Sequence, residues 1–285
     1  MGFSEGVLLG IVAAVCWGTA DFCSQKIVRQ LGVLQVLFFK VLAGLPLWFV
    51  FAAVFWKPLP LDFGPWAMLL SVSLLSVVAF LAFYKGLEIG KLAVVAPISA
   101  AYAAVAVALA VLFYGESLPP MQAAAIAAII AGVALASFRA SEFKHSKKIE
   151  KGVFYGLATM LLWGVNVFLF KPVTRAFNPF VFGALMQTAM ALVTAGLFVL
   201  LVKKAGLPPK NCWLSLLAIG ALEAFGFLAL NLGLVEGLVS IVAPIAATAP
   251  AVTIFLAKTV NKEELESNQW LGILVVLVAL VMISA

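Results

Sequence analysis

Charge is scarce in this sequence. Only 11% of its 285 residues are charged, against roughly 25% in an ordinary soluble domain. Hydrophobic residues make up 65%, and the mean hydropathy is +1.18. One water-soluble core cannot hide that much apolar surface, because a globule must still cover itself with polar groups. Histidine occurs once, as His145 in a polar stretch. That excludes a metal site built on two histidines, and any Ser-His or Cys-His device inside the membrane. Three cysteines do not make a disulfide framework. Cys16 and Cys23 fall in the first apolar run and Cys212 at the edge of a later one, where free thiols pack as small hydrophobes. A phosphate loop is missing too: Gly86-Leu-Glu-Ile-Gly-Lys91 has one residue too few between its glycines, and Leu92 stands where Ser or Thr is needed. There is no H-E-x-x-H and no regularly spaced arginine series. An ATP-driven step, a zinc hydrolase and a voltage sensor are therefore not expected, nor is any cofactor or enzymatic activity.

What remains is a set of apolar runs. A membrane span needs roughly 20 mostly apolar residues, and ten candidates meet this approximately: Val7–Val28, Leu34–Trp56, Trp66–Gly86, Leu92–Tyr114, Gln122–Phe138, Val153–Lys171, Pro179–Val202, Trp213–Leu234, Val239–Lys258 and Gln269–Ser284. The first is longer than a signal-peptide core and is followed by many like it, so it reads as a span. The links are short and carry breakers such as Pro119-Pro120 and Pro208-Pro209. The expected fold is an all-α integral membrane protein of ten transmembrane helices.

The net charge of +6 belongs to topology and not to nucleic-acid binding. Numbered along the chain, the odd links carry 14 basic residues: Lys26, Arg29, Lys85, Lys91, Arg139, Lys144, Lys147, Lys148, Lys151, Lys203, Lys204, Lys210, Lys258 and Lys262. The even links carry Lys57, Lys171 and Arg175. The positive-inside rule then places the odd links in the cytoplasm and both termini outside, across a cell (inner) membrane.

The two halves repeat each other. Trp17-Gly18 matches Trp163-Gly164 at an offset of 146, as do Gly6 and Gly10 with Gly152 and Gly156. Val95-Ala96-Pro97-Ile98 matches Val242-Ala243-Pro244-Ile245 at 147, followed by Gly90 with Gly237, Glu116 with Glu263, Gln122 with Gln269 and Ser137 with Ser284. The expected units are residues 1–145 and 146–285. Five spans per copy is an odd number, so the second copy enters the membrane from the opposite side. That five-plus-five inverted repeat is an architecture of secondary transporters.

Two acids lie deep within spans, Asp21 and Glu223, and Lys40 is the one comparably deep base. An acid at mid-membrane costs roughly 2.5–3.5 kcal/mol on insertion scales, so it faces a cavity or a partner. The functional reading makes either acid a substrate-charge partner or a proton carrier; the bland one is an ion pair that only fixes helix register. Trp17, Trp163, Asn166, Gln187, Phe227 and Asn231 complete the candidate binding and coupling set, with Glu223, Phe227 and Asn231 at four-residue spacing on one face. Each polar residue could equally be an interhelical hydrogen-bonding group, and each tryptophan a packing residue. Pro97, Pro244 and Pro250 are expected hinge or kink sites, since proline in a span frees a carbonyl.

These residues carry a resemblance. Trp17-Gly18, Val95-Ala96-Pro97-Ile98 through Gly115-Glu116, their repeats Trp163-Gly164 and Val242-Ala243-Pro244-Ile245 through Glu263, and Gln269-Trp270-Leu271-Gly272 resemble the drug/metabolite transporter superfamily, in its ten-helix EamA-type branch. The resemblance covers essentially the whole chain. It implies an inverted repeat, a central cavity between the halves and export of amino acids or other metabolites. The small four-helix relatives use a Glu in their first span; here the nearest acid is Asp21. The resulting expectation is a secondary transporter that rocks around a site built from spans one, two, seven and eight, taking a small-molecule substrate by proton-driven exchange or by facilitated diffusion, surrounded by lipid, as monomer or homodimer. The rival readings are a channel or membrane scaffold, which would not saturate, and a lipid-acting enzyme.

Overall fold

A computed structural model describes residues 3–90, 92–137, 147–202, 206–262 and 266–284. Lys91, Arg139, Lys144, His145, Lys203, Lys204 and Glu263, named above, lie outside these, as do the side chains of Pro97, Lys147, Lys148, Ser137 and Ser284. The described residues are mostly helical, with no strand among them. Its helices are α1 (Phe3–Leu31), α2 (Val33–Val54), α3 (Phe63–Ile89), α4 (Leu92–Ala100), α5 (Tyr102–Tyr114), α6 (Pro120–Ser137), α7 (Lys147–Phe177), α8 (Pro179–Leu201), α9 (Trp213–Glu236), α10 (Val239–Ala246), α11 (Ala249–Asn261) and α12 (Ser267–Ser284).

Among the described residues, seven helical stretches are long and apolar enough to cross a membrane: Glu5–Leu31, Val33–Val54, Phe63–Ile89, Lys151–Phe177, Pro179–Leu201, Lys210–Val235 and Val239–Val260. Ile98–Tyr114, Pro120–Ala136 and Ser267–Met282 are apolar but shorter. At 1.5 Å per residue, the 22 to 27 residues of the long ones exceed the ~30 Å hydrocarbon layer. The outer surface agrees: Leu112, Leu200 and Leu214 are 75–80% exposed. Water would not tolerate so many such residues, whereas lipid tails do. The chain is an integral membrane protein.

The sequence repeat has a backbone counterpart. Among the described residues four have positive φ, and they form two pairs at the repeat offsets. Gly32 (φ 84°) and Asn178 (φ 59°) turn α1 into α2 and α7 into α8. Gly115 (φ 65°) and Lys262 (φ 57°) end α5 and α11 in the left-handed conformation. At Asn178 the side chain compensates for the lost glycine, accepting hydrogen bonds from Phe180 N (2.9 Å) and Val181 N (3.0 Å) to cap α8 ahead of Pro179. Arginines repeat likewise. Arg29 donates to Leu87 O (3.4 Å) and Gly90 O (3.3 Å) at the end of α3, and Arg175 donates to Val235 O (2.9 Å) at the end of α9. Both satisfy orphan carbonyls at a helix C-terminus.

The single apolar runs Leu92–Tyr114 and Val239–Lys258 are each interrupted in the structure. Ala101 and Thr248, 147 apart, both have ψ near 0°. Around them the bonds tighten to i→i−3: Ala104 N to Ala101 O (3.0 Å), Thr248 N to Ile245 O (3.1 Å) and Ala251 N to Thr248 O (2.9 Å). The second break has a covalent cause, since Pro250 has no N–H to offer the carbonyl four residues back. Pro244 sits inside α10, ahead of the break, and Pro97 lies within α4.

The two copies are exchanged partners. α1 packs on α9, α10 and α11, while α7 packs on α3, α4 and α5; α2 pairs with α8, and α6 with α12. Glycines permit the approach. A Cβ on Gly18 would lie 2.4 Å from Ala249 O, and one on Gly164 would lie 2.4 Å from Val105 Cβ. Gly10 and Gly156 meet Ile245 and Ile98 in the same way. The Trp-Gly pairs in the sequence thus mark where the first helix of each copy crosses the broken helix of the other. α6 and α12 stand apart from the centre, meeting at Gly132 and Gly272.

Candidate functional site

Between the two copies lies a cavity of about 110 Å³. One water needs on the order of 10–15 Å³ by this measure, so the space admits a solute of several heavy atoms. Its wall draws on α1, α2, α3, α4, α5, α7, α8, α9 and the α10–α11 break with its flanking residues Ala246, Ala247, Ala249 and Pro250. Spans one, two, seven and eight all contribute to this wall, as α1, α2, α8 and α9. The crossed packing brings α3 and α7, and both broken helices, to the centre as well.

Of the candidate residues, Trp17, Asp21, Lys40, Trp163, Gln187, Glu223, Phe227 and Pro250 line this cavity. Lys40 Nζ donates to Glu223 Oε1 at 2.9 Å, and the side chains are 4% and 18% exposed. The same ammonium lies 3.3 Å from the Phe80 ring centre and 5.1 Å from that of Tyr84, which adds cation–π attraction to the ion pair. Asp21 faces the cavity with no hydrogen bond or ion pair to another described residue. Two carboxylates and one ammonium leave a formal charge of −1 when all are ionised. Two charges are brought out of water at several kcal/mol each, which their attraction only partly returns.

The wall is otherwise aromatic and apolar. Trp163 packs against Phe83 (4.9 Å between ring centres), Phe80 (5.6 Å) and Tyr102 (6.1 Å). On the other side Phe227 packs against Phe170 (5.1 Å) and Trp48 (5.7 Å). Phe80, Phe83, Trp48 and Ser76 escaped the sequence reading. With 23 phenylalanines in the chain, an aromatic residue alone marks nothing.

The repeat shows that the polar wall is lopsided. The positions matching Lys40 and Glu223 at offset 147 are Gln187 and Ser76. Gln187 Nε2 donates to Val41 O at 3.0 Å, so α2 and α9 share the ion pair while the matching positions on α8 and α3 carry a neutral amide and hydroxyl.

Asn166 and Asn231 are not in the wall. Asn166 is buried behind it, its amide accepting from Ser76 Oγ (2.7 Å) and donating to Val72 O (3.3 Å). Asn231 accepts from Thr174 Oγ1 (2.6 Å) and donates to Phe227 O (2.7 Å). Both asparagines are fully buried and satisfied within the protein, which is the interhelical role. The four-residue face of Glu223, Phe227 and Asn231 therefore runs past the end of the cavity.

A second polar cluster was not anticipated. Glu116, in the link between α5 and α6, is 7% exposed. One oxygen accepts from Lys171 Nζ (2.8 Å) and Val239 N (3.1 Å); the other accepts from Ser240 N (2.9 Å) and Ser240 Oγ (2.7 Å). Burial pushes its pKa up, but these donors outweigh burial and hold the carboxyl below the usual value. Its matching position at Glu263 was the signal available in the sequence.

The profile of the EamA-like transporter family matches residues 4–138 and again residues 150–285. No curated protein matches the chain by sequence. Among the solved structures with the same fold is one titled "Crystal structure of protein", at 16% identity and a TM-score of 0.81, covering 98% of this chain and 96% of that one. Two matched repeats account for nearly every described residue, and the chain belongs to the EamA-like transporter family of the drug/metabolite transporter superfamily.

Proposed function

We propose that the protein is a secondary transporter that moves a small amphipathic metabolite, an amino acid or similar solute, outward by alternating access. α4–α5 and α10–α11 each count as one interrupted span, giving ten spans in two copies of opposite orientation, residues 1–145 and 146–285, with both termini outside the cytoplasm. The observation that carries this reading is the cavity between the copies, where aromatic walls meet a cluster containing charges of both signs. Such a wall suits a solute with an apolar body and a zwitterionic or cationic end. Asp21 and Glu223 bind the amine or exchange a proton, and Lys40 holds the anionic end or releases Glu223 when substrate arrives. The breaks at Ala101 and Thr248, together with Pro97, Pro244 and Pro250, supply the bending points.

The test is uptake of amino acids into proteoliposomes. Saturable uptake with counter-exchange, lost in Glu223→Gln and Asp21→Asn while both variants remain folded, is the expected result. Flux without saturation would make the protein a channel. Normal uptake in both variants would remove the charge cluster from the site.

A further inference from the structure

Glu116 ties three pieces of chain that belong to different copies. It lies at the end of the first copy's broken helix, while its donors are the amino end of α10 and Lys171 at the end of α7, both in the second copy. All three ends lie on the face of the even-numbered links. Four donors on one carboxylate, one of them an ammonium, make a strong tie. It is also well placed, because α10 leads directly to Ala246 and the break whose residues line the cavity.

The sequence repeat offers weaker chemistry at the matching positions. The repeat sets Glu263 against Glu116. But Lys171 is matched by Gln25, which has no charge, and Ser240 by Ala93, which has no hydroxyl. Lys26, next to Gln25, is exposed. The paired arginines do not share this inequality, since Arg29 and Arg175 make the same kind of helix-end contact on the two faces.

We propose that Glu116, Lys171 and the amino end of α10 form a charge-assisted latch that closes the cavity on the even-link face, and that the uncharged Gln25 and the hydroxyl-free Ala93 at the matching positions make the resting carrier open toward the odd links. This rests on the alternating-access reading above. Lys171 and Glu116 act on the cavity only through α10 and the break that follows it, so they are gating residues that need not touch the solute. With the odd links cytoplasmic, the bias gives a carrier that waits for solute from inside.

The test uses the full chain in sealed vesicles of both orientations. A reporter cysteine replaces Met186 in the cavity wall, and a membrane-impermeant maleimide is applied from each side. The quantity read is the ratio of labelling rates from the two faces. Lys171→Gln removes the charge that Gln25 does not supply on the other face and is expected to shift the ratio at least about tenfold toward the even-link face, the size expected of one charge-assisted hydrogen bond. Lys171→Arg keeps the charge and leaves the ratio close to that of the parent. Gln25→Lys strengthens the other latch without touching the first, and shifts the ratio toward the even-link face as well. It serves as the decisive variant if Lys171→Gln does not fold. A ratio unmoved by Gln25→Lys and by folded Lys171→Gln overturns the latch, as does an equal shift from Lys171→Arg. Labelling from one face alone in every variant would instead contradict the carrier cycle.

Discussion

Replacing Lys40 by Met tests whether the central ion pair serves transport or only packing. Methionine nearly matches the length of the lysine stem and suits the Phe80 ring, so little volume is lost. What is lost is the partner of Glu223 at 2.9 Å, in a place where the lysine side chain is only 4% exposed. Breaking a buried pair from one side costs about 3–5 kcal/mol, because it strands the other charge. Glu223 keeps 18% exposure toward the cavity, so the lower end, about 3 kcal/mol, is expected. In Lys40→Met/Glu223→Gln both charges are gone, and Asp21 loses an attraction and a repulsion together. That double variant should return to within about 1 kcal/mol of the parent, since replacing both members of a buried pair is often neutral. The assay is thermal unfolding in detergent alongside amino acid uptake in proteoliposomes. Both variants are expected to be inactive, and the double variant nearly as stable as the parent. Normal uptake in a stable double variant would refute the argument and leave the pair as a device for helix register. A single variant as stable as the parent would show that the pair is not desolvated as described.

Gly18→Ala should destabilise the protein by about 1–3 kcal/mol, because its Cβ would sit 2.4 Å from the Ala249 carbonyl, a backbone atom with little room to move. Gly196→Ala, with nothing within 4 Å of its Cβ, should be neutral or slightly stabilising, and the two melting curves side by side check the claim. The Glu116 carboxyl is held below its usual range, so it contributes stability that is fully present above the ordinary carboxylate pKa and is lost as pH falls through its lowered value. The contribution of Glu116 should therefore be constant from about pH 5 upward. A Glu116→Gln variant whose loss of stability disappeared between about pH 8 and pH 6 would contradict this.

Much of this molecule is legible in its sequence because membrane residence simplifies the code. Long apolar runs mark helices, and a charged residue within one marks a cavity or a partner, which is how Asp21, Glu223 and Lys40 stand out. The internal offset also carries into three dimensions, down to the left-handed pairs Gly32 with Asn178 and Gly115 with Lys262. Other features were hidden for physical reasons. A buried asparagine announces only that it needs partners. Asn166 and Asn231 find theirs in Ser76, Val72, Thr174 and Phe227, so depth and polarity pointed to the wall without placing them in it. The break at Ala101 has no proline at the position of Pro250, and only the repeat could have suggested it. Glu116 lies at a span end, where acids are usually solvated; its burial comes from α10, more than 120 residues later in the chain. The aromatic wall from α3 depends on α3 crossing α7, a pairing between copies that no local pattern encodes.

The central claim is that the cavity between the copies binds a small charged solute. The most direct measurement is the melting temperature of the purified protein across a panel of amino acids, nucleobases, sugars and organic cations at two pH values. A solute that binds the folded state stabilises it by mass action, by about 2.7 kcal/mol at a hundred times its Kd. A zwitterionic or cationic amphipathic solute is expected to raise the melting temperature, and the rise to be lost in Glu223→Gln and in Asp21→Asn. A rise that survives in both variants, or one produced only by uncharged solutes, would contradict the claim.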